Sequence, residues 1–256
     1  MRAALLALVL MPLAANAATG DWARLPGGEF RSALRYEDTG GTVRVAPFEL
    51  QRQPVSNAEF AAFVRANPEW QRGHAPTVFA EPRYLQNWQG PLEPGAKALP
   101  DRPVVQISWF AAQAYCETVG GRLPTWSEWE FAAAADETRT DARADPAWRE
   151  RILAWYSQTS NGELPDIGRT PANVHGVSDL HGLVWEWVED HSAMLVSSDS
   201  REQGDPDSMR FCGAGALSME DRENYAILMR VALLSSLEAN YTTANLGFRC
   251  ASGEEQ

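Results

Sequence analysis

Apolar positions fall into short periodic runs, separated by long polar and proline-rich stretches. Ser56-Asn57-Ala58-Glu59 is a capping box, and Phe60, Phe63 and Val64 follow on one helical face. Ser108 is placed to cap a second helix carrying Trp109, Ala112, Tyr115 and Cys116, stopped at Gly120-Gly121. A second capping box, Thr125-Trp126-Ser127-Glu128, leads into Trp129 and the alanine run from Ala132. Asp145-Pro146 sets an N-cap before a proline, opening a helix through Trp148, Ile152 and Leu153. Strands are predicted at 42–45, 104–107 and 184–188.

Between these runs the pattern is irregular. Pro68, Pro76, Pro82, Pro91, Pro94 and Pro100 forbid a long helix or central strand over 67–101. Residues 191–209 are acidic, serine-rich and turn-rich, and Asp199, Asp205 and Asp207 read as a solvated loop. The prediction is an α+β fold with little regular structure and long loops of the kind that often carry function.

The first residues form a separate unit. Arg2, the apolar run 3–13 and Ala15-Asn16-Ala17 have the order of a signal peptide, against the alternative of a buried N-terminal element. Residues 1–17 are therefore expected to be a leader cleaved near Ala17, and 18–256 a single domain. That predicts export to the periplasm or beyond, where a disulfide persists. No other segment is long and apolar enough to insert in a membrane. The formal charge of −12 over 256 residues excludes the basic footprint of a nucleic-acid or anionic-lipid binder. Ten Trp and nine Phe supply a large core.

Two groups of residues carry candidate chemistry. Asp179-x-x-Gly182-x-Val184-x-Glu186 offers two carboxylates and, at a tight turn, two carbonyls, a set suited to calcium. The alternative is a strand on which Glu186 pairs with an arginine between Trp185 and Trp187. His175, His181 and His191 lack the spacing of a histidine metal site, and the His181 ring is expected to point outward. The three cysteines, Cys116, Cys212 and Cys250, leave room for one pair and one single thiol.

Four segments resemble the sulfatase-modifying-factor family, typified by the formylglycine-generating enzymes. They are P-G-G-E-F at 26–30 with P-V-S-N-A-E-F at 54–60; P-V-V-Q-I-S-W at 103–109, continuing into G-R-L-P-T-W-S-E-W-E-F-A-A at 121–133; G-V-S-D-L-H-G-L-V-W-E-W at 176–187; and N-L-G-F-R-C at 245–250. The resemblance implies a C-type-lectin-like fold, a disulfide between Cys116 and Cys250, and structural Ca2+ at Asp179, Gly182, Val184 and Glu186. Leu183 stands where the family usually has Asn.

The family's oxidases hold Cu(I) on two further cysteines shortly before G-F-R-C. Here 213–225 has none, so no Cu(I) centre is expected. Cys212 falls outside both positions and reads as a buried apolar residue or, with Met219, as a soft-metal or redox thiol. The resemblance then implies an exported accessory, maturation or regulatory factor with a protein or peptide partner. Its models are the family's type VI secretion regulator and the member encoded beside copper nitrite reductases. An alternative is an enzyme with replaced chemistry, as in pyoverdine maturation, using Cys212, Glu220, Glu223 or Tyr225. Formylglycine generation proper is the third reading.

Overall fold

The computed structural model describes residues 21–34, 42–157, 163–192 and 225–253. The predicted leader, Cys212, Glu220 and Glu223 lie outside them, as does the acidic loop beyond residue 192.

Strand β1 (Trp22–Leu25) pairs antiparallel with β4 (Phe48–Gln51), which pairs on its other edge with β7 (Ala251–Ser252). The last strand thus lies beside one of the first, with Leu50 opposite both Ala23 and Ala251. Strands β2 (Gly28–Arg31) and β3 (Thr42–Val45) form a separate antiparallel pair. Alternation is clear in β1, where Ala23 and Leu25 are buried and Arg24 is exposed.

The helices start where their caps predict. Helix α1 (Asn57–Ala66) has the full capping box: Ser56 Oγ accepts from Glu59 N, and Glu59 Oε2 accepts from Ser56 N at 2.8 Å. Helix α2 (Trp109–Thr118) is capped by Ser108, and Gly121 N closes its end on Cys116 O at 2.8 Å. In α3 (Trp126–Ala133) the capping residue Glu128 also takes Arg122 on both oxygens at 2.7 Å, buried. Helix α4 (Pro146–Ser157) buries Trp148 and Ile152 in a small satellite core. The proline-rich stretch 67–101 holds one 3-10 turn, Pro68–Trp70.

Two strand predictions need correction. Residues 104–107 form no strand, because Gln106 adopts φ +58°, outside any β geometry. The 184–188 strand shrinks to β5 (Trp185–Glu186), parallel to β6 (Leu246–Gly247). Gly247 lets β6 lie close against the backbone of Val104, since a Cβ there would lie 2.5 Å from Val104 O. Helix α5 (Tyr225–Ser235), which the sequence reading missed, buries Ile227, Arg230, Val231 and Leu234 at helical spacing.

The main core joins α1, α2 and the C-terminal segment through the rings of Phe60, Tyr115 and Phe248, all within 6.0 Å of one another. Trp126, Trp129 and Trp187, wholly buried, extend it toward β5. A disulfide between Cys116 on α2 and Cys250, 134 residues apart, locks the C-terminal strand region to the helices.

Candidate functional site

The polar centre of the fold is built on Glu186. Its side chain and that of Arg249 are both fully buried. Arg249 Nη2 donates to Glu186 Oε1 at 2.8 Å, and Nε to Oε2 at 2.9 Å. Trp129 Nε1 from α3 donates to the same Oε2 at 2.8 Å. Arg249 also donates to the carbonyls of Ser178, Gln51 and Arg52. A buried charge is tolerated only when paired and hydrogen-bonded, and both partners meet that condition. From α5, the Arg230 guanidinium lies 3.4 Å from the Trp129 ring centroid and donates to Glu186 O at 2.6 Å. The W-E-W and G-F-R-C segments, with the central Trp of α3, therefore meet at one ion pair.

The turn before β5 is held by Asp179, which takes φ +59°. Its Oδ1 accepts from Thr170 N and Oγ1 at 3.0 and 2.9 Å, and its Oδ2 accepts from Gly168 N. Gly182 has φ +81°, and a Cβ there would lie 2.6 Å from the Cβ of Trp155. This tight turn against α4 reverses the expectation for His181. The ring is buried rather than outward: Nε2 lies 2.8 Å from Ala133 O, among Trp129, Trp148 and Trp155. Burial pushes its imidazole down to about 4.

The predicted calcium positions thus lie in one turn and the strand that follows it. Asp179 Oδ2 and Glu186 Oε1 each accept a single hydrogen bond from the described residues. The carbonyls of Gly182 and Val184 accept none from them. Two carboxylate and two carbonyl oxygens are the donor types a hard cation takes, and Arg249 already balances Glu186. Among the described residues no three His, Cys, Asp or Glu side chains gather as a metal cluster. His175 sits 5.6 Å from the Phe131 ring, and His191 is held between Trp187 and Trp109. Burial lowers the pKa of both. Tyr225 opens α5, and nothing of its side chain is described.

Sequence periodicity gave no hint of an exposed aromatic surface. Val78 and Phe79 are 66% and 41% exposed, and Tyr241 is 37% exposed. The Phe79 ring lies 5.2 Å from Phe110 and 6.3 Å from Trp70. Two loops carry this surface, joined by Asn240 Nδ2 to Thr77 O at 3.1 Å and by Glu81 N to Asn240 O at 3.0 Å. The second loop runs directly into N-L-G-F-R-C.

An α+β domain poor in regular structure, closed by an α2-to-C-terminus disulfide around a Glu–Arg pair, is a C-type-lectin-like fold. The chain belongs to the family of the sulfatase-modifying factor enzyme 1-like domain, whose profile matches residues 10–253. It is 31% identical to a formylglycine-generating enzyme of Streptomyces coelicolor, over 94% of this chain and 91% of the relative. It is 29% identical to an inactive C-alpha-formylglycine-generating enzyme 2 of Bos taurus, over 93% and 90%. Among solved structures, that of CarF is similar in fold, at TM-score 0.50 and 15% identity over 92% of this chain and 98% of CarF. Among the described residues no helix is long and apolar enough to cross a membrane.

Proposed function

We propose that this formylglycine-generating-enzyme-like protein is an exported accessory, maturation or regulatory factor that holds a protein partner, and that it does not oxidise cysteine with copper. One observation carries the reading. Of the three cysteines, Cys116 and Cys250 are joined to each other, which leaves Cys212 as the single thiol. A Cu(I) centre of two thiolates needs one more. The exposed Val78, Phe79 and Tyr241 side chains, on two loops joined through Asn240, support a partner surface, because exposed apolar side chains favour binding. The leader-like pattern at 1–17 supports export.

The test is to incubate the purified, copper-loaded protein with oxygen and a peptide containing C-x-P-x-R. Mass spectrometry is expected to find the peptide cysteine unchanged. Turnover to the aldehyde would remove the proposal.

Calcium is the proposed structural ion, held by the carboxylates of Asp179 and Glu186 and the carbonyls of Gly182 and Val184. It would supply positive charge to a turn in which the Gly182 and Val184 carbonyls accept no backbone hydrogen bond from the described residues. Chelator is expected to lower the melting temperature of the wild-type chain, and to have no effect on Asp179→Ala. An equal melting temperature with and without chelator in the wild type overturns the calcium assignment.

A further inference from the structure

A cleft of about 410 Å3 opens beside Gln106. Its size is that of a small-molecule site. The carboxamides of Gln86, Asn87 and Gln106 line it, with Lys97 and Glu163. Val105, Leu164 and Ala244 complete the lining with apolar surface.

The polar groups here are largely unspent. Gln106 uses its Oε1 to accept from Asn87 N at 2.6 Å, which leaves Nε2 without a bond among the described residues. The Asn87 carboxamide makes no hydrogen bond to them, and its Oδ1 is shielded from water without a partner. Turning that amide about χ2 exchanges its oxygen and nitrogen, so it can present either to a ligand. Lys97 forms no ion pair with a described residue. Glu163 lends Oε2 to Arg102 at 3.3 Å and keeps Oε1.

The wall is also held in an uncommon backbone state. Leu85 and Gln106 both take positive φ, +50° and +58°, which glycine or asparagine adopts far more readily. Leu85 N bonds Gln106 O at 2.9 Å, and Gln106 N bonds Thr243 O at 3.1 Å. Backbone strain of this kind persists where surrounding contacts over-determine it, and it clusters at ligand sites.

The lining fixes the ligand class. Carboxamides offer donors and acceptors together, which matches a ligand with its own amide. One cation and one anion match a ligand carrying one of each, rather than a polyanion or a polycation. We infer that this cleft is a binding site for a small zwitterionic amide of dipeptide size, with Lys97 taking its carboxylate and Glu163 its ammonium. The assignment is independent of the accessory-factor reading, since it uses neither the thiols nor the aromatic surface.

The probe is glycyl-L-valine, with N-acetyl-glycyl-L-valine amide as its uncharged counterpart. Calorimetry and amide chemical shifts of the full chain report binding. Saturable binding of glycyl-valine is expected, with shifts confined to 85–106, 163–164 and 243–244. Binding should weaken at least tenfold for the blocked dipeptide, for Lys97→Ala and for Glu163→Gln. Gln106→Gly relieves the backbone and so keeps the fold, yet it should also lose binding. No saturable binding by the wild-type chain overturns the inference. So does equal affinity for the two dipeptides, or charge variants that bind as the wild type does.

Discussion

Arg249 spends its guanidinium on five acceptors on four residues, drawn from three parts of the chain. Its contribution is best judged by what its removal leaves behind. In Arg249→Met the Glu186 carboxylate stays buried with Trp129 Nε1 as its remaining side-chain donor. Breaking one half of a buried pair costs about 3–5 kcal/mol. Urea unfolding of Arg249→Met is expected to show a loss of that order. A loss under about 1 kcal/mol, the range of an exposed pair, would contradict full burial of the ion pair. The sequence raised an arginine partner for Glu186 as an alternative, but not which arginine. Arg249 lies 63 positions away, and no local spacing encodes that distance.

At the scale of elements, the caps carried most of the legible information. Ser56, Ser108 and Thr125 each begin the helix they were expected to begin. Their hydrogen bonds span three residues, so local sequence contains the whole interaction. Thr125→Ala removes the acceptor for Glu128 N and frees one end of a buried helix. It is expected to cost about 1 kcal/mol in thermal or urea unfolding, the usual loss for an N-cap. Glu128→Ala should cost clearly more, since it breaks both the cap and the buried pair with Arg122. Equal losses would mean that the Arg122 pair contributes nothing.

Helix α5 was equally local in character and was still missed. Ile227, Val231 and Leu234 have helical spacing, and they are buried on one face of the helix. The 104–107 strand failed for a different reason. Its residues are good strand formers, and the left-handed turn at Gln106 is imposed by bonds to Leu85 and Thr243. Tertiary contacts overrode propensity there.

For the whole molecule, the long-range closure matters most. The Cys116–Cys250 bridge spans 134 residues and ties α2 to the segment entering β7. Constraining a loop of that length in the unfolded chain is worth about 4–5 kcal/mol in the chain-entropy view. Reduction, or the double variant Cys116→Ala with Cys250→Ala, is expected to lower stability by that order. A reduced protein with an unchanged unfolding midpoint would show that the non-covalent core alone closes the fold. Most of the regular structure is short, and the three-stranded sheet has its first and last strands on either side of β4. Such a chain relies on contacts between distant segments rather than on long elements.

The sequence by itself determined the family, the helix starts, the disulfide-competent cysteines and the lack of a second pair of thiols. Each is written in residue identity or in contacts a few positions apart. Only the tertiary structure decided which arginine meets Glu186, that His181 turns inward, and that Asn87, Lys97 and Gln106 line one cleft. Those outcomes depend on burial and on hydrogen bonds between segments tens to hundreds of residues apart. Desolvation makes such contacts obligatory once the chain is folded, and no local pattern records their partners.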